Sequence, residues 1–333
     1  MHFDQAPRRL TFSFRYLSSL LIILSLACLA SCGRNPSEST EIPVSIGYQP
    51  NVFSLPLFVM QDHDLLKPYG IRVVLRRYDG SSEMLDALIS GEIDIAGSLS
   101  LPSAAAAELE KPNYLRLLSL SMSTKDRPAT RFVVPIDSKL QGIRDLAGKS
   151  LGHSPPSSMT RLMAIESLRG AGVDPRTVTL VPLSSKVALE ALVAHQVDAL
   201  SCLEPTATIV VLTREARILD PAPVNTYIMN PLPGVGFFIR RGGRADRPEI
   251  IAAFRATLTT AITFVRSNED GSRRLLAKWA GVTDPTIRDQ MPMIDFLTPD
   301  ELPDSTAKIN SFLSFLHSHH ELKSELDINQ MLR

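Results

Sequence analysis

The sequence predicts an α/β protein of two similar lobes, each a mainly parallel β-sheet flanked by helices. The first observation is that short apolar strands alternate with helical patterns from Pro43 onward, which is typical of βαβ units. The second is that this alternation occurs twice with the same rhythm. The third is the length of 333 residues, at which one hydrophobic core usually divides into two.

Each series of elements predicts three strands separated by two helices. In the first series the strands are 44–48, 71–78 and 93–96, and the helices are 55–66 and 82–90. In the second series the strands are 150–153, 178–182 and 198–203, and the helices are 158–170 and 186–195. Residues 115–122 and 131–134 are expected to be strands that link the two series.

The two series share a short similarity at an offset of 104 residues. Residues 87–96 align without gaps with 191–200, with identical Ala, Leu and Asp and with Ile/Val matches at two further positions. Helix–turn–strand junctions often look alike, and ten residues leave open that the similarity is only of this general kind. We favour two lobes of the same design.

The pattern changes after Leu203. Four prolines lie close together, a strand follows at 235–240, and everything beyond is helical in period. This order suggests that the chain returns to the first lobe. We therefore expect lobe one to comprise 42–128 and 229–333, and lobe two to comprise 129–228.

The N-terminus has the order of an export signal. Basic Arg8, Arg9 and Arg15 precede an apolar run that ends in Leu29-Ala30-Ser31-Cys32. Those four residues resemble a bacterial lipobox, so residues 1–31 are expected to be a lipoprotein signal peptide and Cys32 the acylated N-terminus. A plain signal peptide with a chance cysteine is the alternative. Residues 32–41 are polar and are expected to be a tether.

Composition excludes several function classes. The 35 basic residues are balanced by 35 acidic ones, so no positive excess is available for nucleic acid. Once the signal is removed and Cys32 is acylated, Cys202 has no disulfide partner, and its apolar surroundings predict an inert buried thiol. No HExxH pattern occurs among the seven histidines, so no metal site is expected. The chain also has no GxSxG elbow, P-loop or Rossmann fingerprint, and no cofactor is expected.

A ligand site is expected where the strands end, because loops and helix N-termini converge at the carboxyl edge of a parallel sheet. Four loops qualify, and they contain our candidate ligand-binding residues: Tyr48, Gln49, Asn51, Ser98, Ser157, Ser158 and Glu204. Ser157 and Ser158 precede a helix, so one of them could cap it or could bring its amides to an anion. Glu204 could cap the next helix or bind a cationic group. Tyr48 could stack on a planar ligand or belong to the core.

These residues also carry a resemblance. Gly47-Tyr48-Gln49-Pro50, the segment from Ala87 to Gly97, Asp145 to Gly152, and Val197-Asp198-Ala199 with Glu204-Pro205 occur in the same order in solute-binding proteins of ABC importers for nitrate, sulfonates, taurine and thiamine-pyrimidine precursors. The resemblance covers about residues 43–280.

The resemblance implies the two-lobed type II periplasmic-binding-protein fold, with a small polar or anionic metabolite held in the interlobe cleft. It implies a monomer that delivers this ligand to an ABC importer permease at the outer face of a membrane. This sequence has Ser154-Pro155-Pro156-Ser157-Ser158 where the sulfonate and nitrate binders have a glycine–serine turn. It also lacks the cysteine cluster of the related pyrimidine synthases, which disfavours an enzyme. A ligand sensor without a transporter, or an exported enzyme of the same fold, are the alternatives.

Overall fold

Two β-sheets with helices on their faces build the part of the chain that the computed structural model describes, residues 41–154, 158–184 and 186–332. The signal peptide, Cys32, the tether up to residue 40 and Ser157 lie outside these residues. The strands are β1 (Ile42–Tyr48), β2 (Ile71–Arg77), β3 (Ile95–Ser100), β4 (Leu115–Ser123), β5 (Thr130–Pro135), β6 (Ser150–Ser154), β7 (Thr179–Pro182), β8 (Ala199–Leu203), β9 (Ala216–Asp220), β10 (Leu232–Arg240) and β11 (Asp295–Leu297).

The helices of the described residues follow or link these strands. They are α1 (Leu55–Asp62), α2 (Ser81–Ser90), α3 (Leu101–Glu110), α4 (Ser158–Gly170), α5 (Ala188–Val193), α6 (Thr206–Leu212), α7 (Pro223–Tyr227), α8 (Pro248–Ser267), α9 (Glu269–Ala280), α10 (Pro285–Gln290), α11 (Thr306–Ser318) and α12 (Asn329–Leu332).

The strands form one sheet of six and one of five. The six-stranded sheet has the order β11-β4-β10-β3-β1-β2, and the five-stranded sheet has the order β7-β6-β8-β5-β9. We call the half built on the six-stranded sheet lobe one and the half built on the five-stranded sheet lobe two. Strands of lobe one come from two stretches of the chain, 42–123 and 232–297, and the strands of lobe two lie between them.

Both sheets are mixed rather than mainly parallel. In lobe one, β1 pairs in parallel with β2 and β3, whereas β10 is antiparallel to β3 and β4. In lobe two, β6 pairs in parallel with β7 and β8, whereas β5 is antiparallel to β8 and β9. β5 and β10 are the first strands after the chain passes from one lobe to the other. Each runs antiparallel to the strands of the βαβ units. Local sequence patterns do not reveal this direction.

Helices cover both faces of the six-stranded sheet. One apolar core joins this sheet to α1, α8 and α9, and a second joins its other face to α2, α3 and α11. Helix α8 shows why: Ile250, Phe254, Leu258 and Ile262 recur every four residues and form one buried stripe. Among the described helices, α8 is also long and apolar enough to cross a membrane, but this stripe packs into the core of lobe one.

Among the differences between the structure and the expected elements of lobe one, two concern strand pairing. Strand β3 runs on to Ser100, so residues 97–100 are strand rather than loop, because β10 pairs along them with Val235 opposite Ser100. The chain beyond residue 240 is not wholly helical, because Asp295–Leu297 adds a short edge strand next to β4. Three residues are too few to show a period in the sequence.

Candidate binding site

A small cavity of about 40 Å³ lies where strands and helices of both lobes meet. Polar and apolar side chains line it in similar numbers. The polar ones are Gln49, Ser81, Ser100, Ser121, Ser123, Thr130 and Thr160, and the larger apolar ones are Phe53, Met159, Met163, Leu203, Val224, Leu232 and Val235. None of the described lining residues carries a formal charge.

The hydroxyl groups of lobe one are held in place by hydrogen bonds. The Ser81 oxygen accepts the Ser100 backbone N–H at 3.2 Å, and the Ser100 hydroxyl donates to that of Ser103 at 2.7 Å. The Ser121 oxygen accepts the Val235 N–H at 2.8 Å. Each of these side chains therefore has one defined position at the cavity wall.

Two further polar groups line the cavity: Ser123, at the end of β4, and Thr160, in lobe two. The Ser123 oxygen accepts from the Asn225 side-chain amide at 3.2 Å, and that amide also reaches the Ser123 carbonyl at 2.9 Å. Across the cavity, the Thr160 hydroxyl lies 3.3 Å from Nδ1 of the buried His153. The wall is thus assembled from both sheets.

Three helices begin at the cavity. Ser81 is the first residue of α2, Ser100 is the N-cap of α3, and Met159 and Thr160 lie in the first turn of α4. A helix N-terminus carries a partial positive charge from its unpaired amides. The electrostatic potential in this uncharged cavity therefore favours an anion or a ligand oxygen.

One of the predicted ligand-binding residues lines the cavity. Gln49 is buried there, with its backbone N–H donating to the Ser98 hydroxyl at 3.0 Å and its side-chain amide donating to the Ser98 carbonyl at 3.1 Å. Asn51 accepts the Phe53 N–H at 3.1 Å and so caps a short turn. Ser98 is fully buried inside β3. Asn51 and Ser98 therefore shape the Gln49 loop instead of lining the cavity.

Tyr48 belongs to an aromatic cluster of lobe one. Its ring meets Phe58 and Trp279 edge-on, with ring centroids 5.9 and 5.8 Å apart, and those two rings stack on each other at 4.8 Å. These contacts agree with the interpretation that Tyr48 belongs to the core. Ser158 is the first residue of α4, and Ser157 lies outside the described residues.

Glu204 is buried just outside the cavity lining. One carboxylate oxygen accepts the Thr208 N–H of α6 at 3.0 Å, and the other lies 2.7 Å from Nε of Arg131. The second contact is an ion pair without linear hydrogen-bond geometry. Burial raises the pKa of Glu204, and Arg131 and the Thr208 hydrogen bonds oppose that rise. The Glu204 side chain thus binds a first-turn amide of α6 and lies against Arg131.

Cys202 has the surroundings that the sequence predicts. It is buried in the core of lobe two among Val133, Leu200 and Val210, and it is a free thiol. Burial, reinforced by Glu204, raises the pKa of this thiol far above its usual range. Cys202 is therefore an inert core residue.

Sequence reasoning missed most of the cavity wall. Ser119, Ser121 and Ser123 recur every second residue in β4, which is apolar at its other positions except Arg116, and this is the period of one strand face. That period could have marked a polar face on this strand. Ser81, Thr130 and Thr160 carry no comparable pattern.

A second and larger space is lined by residues of lobe one and by Leu162 of α4 in lobe two. It is a groove of about 780 Å³ between α2, α3 and residues 321–323, with Leu85, Ile89, Leu109 and Leu322 among its walls. It is mostly apolar, and no candidate ligand-binding residue named from the sequence lines its described part. Within the described ranges, no three His, Cys, Asp or Glu side chains come together as a metal site.

The two sheets, their connections and the cavity between them define the two-lobed fold of the periplasmic binding proteins, which confirms the fold class predicted from the sequence. The chain belongs to the NMT1/THI5 like family, whose model matches residues 51–271.

Two curated relatives are similar in sequence to this chain. A putative ABC transporter periplasmic binding protein of Brachyspira hyodysenteriae is 26% identical over 209 residues, 58% of each chain. The taurine-binding periplasmic protein of Escherichia coli is 23% identical over 273 residues, 79% of this chain and 81% of its own. The chain thus spans little more than half of the first relative.

Solved structures share the fold. The alkanesulfonate-binding protein SsuA of Xanthomonas axonopodis pv. citri, bound to MOPS, superposes with a TM-score of 0.69 at 21% identity, covering 87% of this chain and 97% of that one. A DSZB mutant in complex with biphenyl-2-sulfinic acid superposes with a TM-score of 0.60 at 18% identity, covering 87% and 96%. The fold alone therefore does not define the ligand.

Proposed function

We propose that this protein is an exported, lipid-anchored solute-binding protein that captures a small sulfonate-type anion between its lobes and delivers it to an ABC importer. The observation that carries this proposal is the uncharged, hydroxyl-lined cavity at which α2, α3 and α4 begin. The relatives named above, which include a taurine-binding and an alkanesulfonate-binding protein, support the ligand class.

Three serine hydroxyl groups of the lining can donate to a ligand. A serine oxygen that accepts an N–H still has its own proton to give. The Ser81, Ser121 and Ser123 oxygens each accept such an N–H, so their protons are available for the oxygens of an anion. Neutral donors and helix N-termini can hold a fully desolvated anion without a buried countercharge.

The cavity also favours one kind of sulfonate. Glu204 was the candidate partner for a ligand amine, but its carboxylate faces Arg131 and Thr208. The described lining offers no carboxylate. We therefore propose an alkanesulfonate without an ammonium group as the preferred ligand, ahead of taurine.

Capture requires the lobes to move. A cavity of about 40 Å³ has room for only a few water molecules, so a sulfonate enters only when the walls part. We place the boundaries of the moving bodies at 42–128 with 229–333 for lobe one and at 129–228 for lobe two, and we expect a hinge motion in a monomer. Gln49 and the first turn of α4 at Ser158 are proposed to meet the ligand, while Tyr48, Asn51 and Ser98 support the Gln49 loop.

Binding without turnover is proposed because the two relatives named above are binding proteins. Cys202, the free cysteine of the described chain, is buried in lobe two and does not line the cavity. Membrane attachment is proposed through Cys32, with the polar residues up to 41 as the tether.

Calorimetric titration tests the function. Protein without residues 1–31, refolded to remove any bound metabolite, is titrated with ethanesulfonate, taurine and ethanolamine. We expect saturable binding of ethanesulfonate, weaker binding of taurine and none of ethanolamine, which has the amine without the sulfonate. Binding of ethanolamine alone would contradict an anion site.

A further inference from the structure

Gly234 is the glycine among the described residues that line the cavity, and a β-bulge places it beside Ser121. Within residues 233–236 of β10, Gly234 and Val235 lie opposite the single residue Ser121 of β4. One extra residue in a strand disrupts the ladder locally and re-aims the side chains around it. The Ser121 hydroxyl oxygen bridges this irregularity by accepting the Val235 N–H at 2.8 Å.

The backbone at Gly234 does not require a glycine. Its φ lies outside the left-handed region, so other residues could adopt the same conformation. Gly236, two residues further along β10, is different: a Cβ atom there would lie 2.5 Å from the Ser119 carbonyl oxygen, so the close approach of β4 requires that glycine. What distinguishes Gly234 is the space that it faces.

A side chain at position 234 would enter the cavity. Its Cβ atom would lie 3.1 Å from Oγ of Ser121 and 3.9 Å from Cε1 of Phe53, and both of these residues line the cavity. Apart from the chain neighbours of Gly234, no other heavy atom of the described residues lies within 4 Å of that position. Because the cavity measures only about 40 Å³, one methyl group would occupy much of it. The missing side chain thus keeps one side of the Ser121 hydroxyl free.

We propose that Gly234 is a specificity-determining residue, which leaves room at the Ser121 hydroxyl for a tetrahedral sulfonate and thereby favours it over a planar carboxylate. This inference rests on the proposed function and names a residue that sets its ligand class. An O–H···O hydrogen bond holds a ligand oxygen about 2.7 to 2.8 Å from Oγ. A carboxylate ends in two oxygens in one plane, whereas a sulfonate carries three around its sulfur and needs more room beside the bonded oxygen. Gly234 provides that room.

The methyl group of Gly234→Ala should therefore weaken sulfonate binding more than carboxylate binding. Ethanesulfonate and propionate are a matched pair of ligands, since both have an ethyl chain and a single negative charge at neutral pH. Their affinities differ through the head group alone. One methyl group in a fitted pocket changes discrimination by about 10- to 200-fold, so the ratio of the two affinities should fall by about 10-fold or more.

Calorimetric titration of the protein without residues 1–31 measures both affinities. We expect the wild type to prefer ethanesulfonate and Gly234→Ala to lose about 10-fold or more of this preference. Gly142→Ala is the matched control, because Gly142 lies outside the cavity, has an extended backbone with φ −166°, and would place its Cβ within 4 Å of no other group of the described residues. Its preference should equal that of the wild type. The melting temperature of each variant shows that it is folded.

The double variant of Gly234→Ala with Ser121→Ala tests how Gly234 acts. It also serves if Gly234→Ala alone does not fold, because it lacks the Oγ atom that the new methyl group meets. If Gly234 acts by keeping the Ser121 hydroxyl accessible, the double variant should have the same ligand preference as Ser121→Ala alone. A further loss of preference in the double variant would overturn this role.

An unchanged preference in a folded Gly234→Ala would also overturn the inference, as would a wild type that binds propionate as tightly as ethanesulfonate. If the wild type binds ethanesulfonate and Gly234→Ala keeps its preference, the role of Gly234 fails and the proposed function stands. A wild type that does not bind ethanesulfonate would contradict the proposed ligand class and this inference together.

Discussion

Asp94 and Asp198 make the same set of hydrogen bonds in the two sheets. Oδ2 of Asp94 accepts the backbone N–H and the hydroxyl of Ser45 at 2.8 and 2.7 Å, and Oδ2 of Asp198 accepts the same two groups of Ser150 at 2.8 and 2.7 Å. Each aspartate thereby ties the start of β3 or β8 to the neighbouring parallel strand. The two residues are also equivalent in the alignment of 87–96 with 191–200.

The repeated aspartates predict unequal losses of stability on substitution. The Asp94 side chain is 5% exposed and also lies 3.5 Å from Nε of Arg244, whereas the Asp198 side chain is 41% exposed. We expect Asp94→Asn to lower the free energy of unfolding by about 1 to 3 kcal/mol and Asp198→Asn by less. Urea denaturation measures both, with the exposed Asp137→Asn as the control. A larger loss for Asp198→Asn would contradict this account.

Asp198 also predicts a pH effect. Burial would raise its pKa, but the backbone and hydroxyl hydrogen bonds of Ser150, with Lys149 and His195, outweigh burial and lower it. A carboxyl with a lowered folded pKa stabilises the fold above its unfolded pKa and loses this contribution as the pH falls. The difference in stability between wild type and Asp198→Asn should therefore be present at pH 7 and shrink on acidification, as measured by denaturation at several pH values.

Arg266 links α8 to the edge strand β11. It donates to Asp295 at 2.8 Å, to the Phe296 carbonyl at 2.7 Å and to both oxygens of Glu301 at 2.9 Å. The hydrogen bonds from Arg266 lower the pKa of Glu301 to about 2. The stabilisation of the fold by ionised Glu301 is thus complete above its unfolded-state pKa of 4.5 and is lost as the pH falls toward 2.

Substitution of Arg266 should therefore have a pH-dependent cost. We expect Arg266→Ala to lower the melting temperature clearly at pH 7, and the difference from wild type to shrink as Glu301 becomes protonated. Arg255→Ala, which removes a single exposed ion pair with Asp300, is the control and should change little. A pH-independent difference for Arg266→Ala would show that packing, not charge, holds β11.

Substitution of Glu204 tests whether its carboxylate has a structural or a ligand-binding role. Because it faces Arg131 and Thr208, Glu204→Gln should lower the free energy of unfolding by about 1 to 3 kcal/mol and leave ethanesulfonate affinity unchanged. A double-mutant cycle with Arg131→Gln measures the coupling of the pair, and titration of the same variants measures affinity. Reduced affinity for ethanesulfonate at unchanged stability would show that Glu204 belongs to the ligand site.

Cys32 determines membrane attachment in the proposed function. We expect Cys32→Ala to move the protein from the membrane fraction to the soluble fraction after cell fractionation, because the acyl acceptor is lost. Ser31→Ala keeps a small residue before the cysteine and serves as the control. Unchanged membrane retention of Cys32→Ala would contradict the lipoprotein proposal.

The fold was more accessible from sequence than the site, for a physical reason. The βαβ units are local, so the alternation of elements and the equivalence of Asp94 and Asp198 were visible in the sequence. The cavity wall depends on pairings between distant segments: Ser121 meets Val235 and Ser123 meets Asn225, each more than 100 residues away. Ser98 was expected in a loop because the antiparallel β10 that extends β3 comes from the return of the chain.

The central claim is that hydroxyl donors at the meeting of the lobes bind the ligand, and two serines of one strand test it most directly. Ser121 lines the cavity, whereas Ser119, two residues away and equally buried, donates to the Leu297 carbonyl at 2.8 Å outside it. The measurement is calorimetric titration of Ser121→Ala and Ser119→Ala with ethanesulfonate. We predict that Ser121→Ala weakens binding by about 5- to 150-fold and that Ser119→Ala leaves it unchanged. Equal affinities of the two variants would contradict the account.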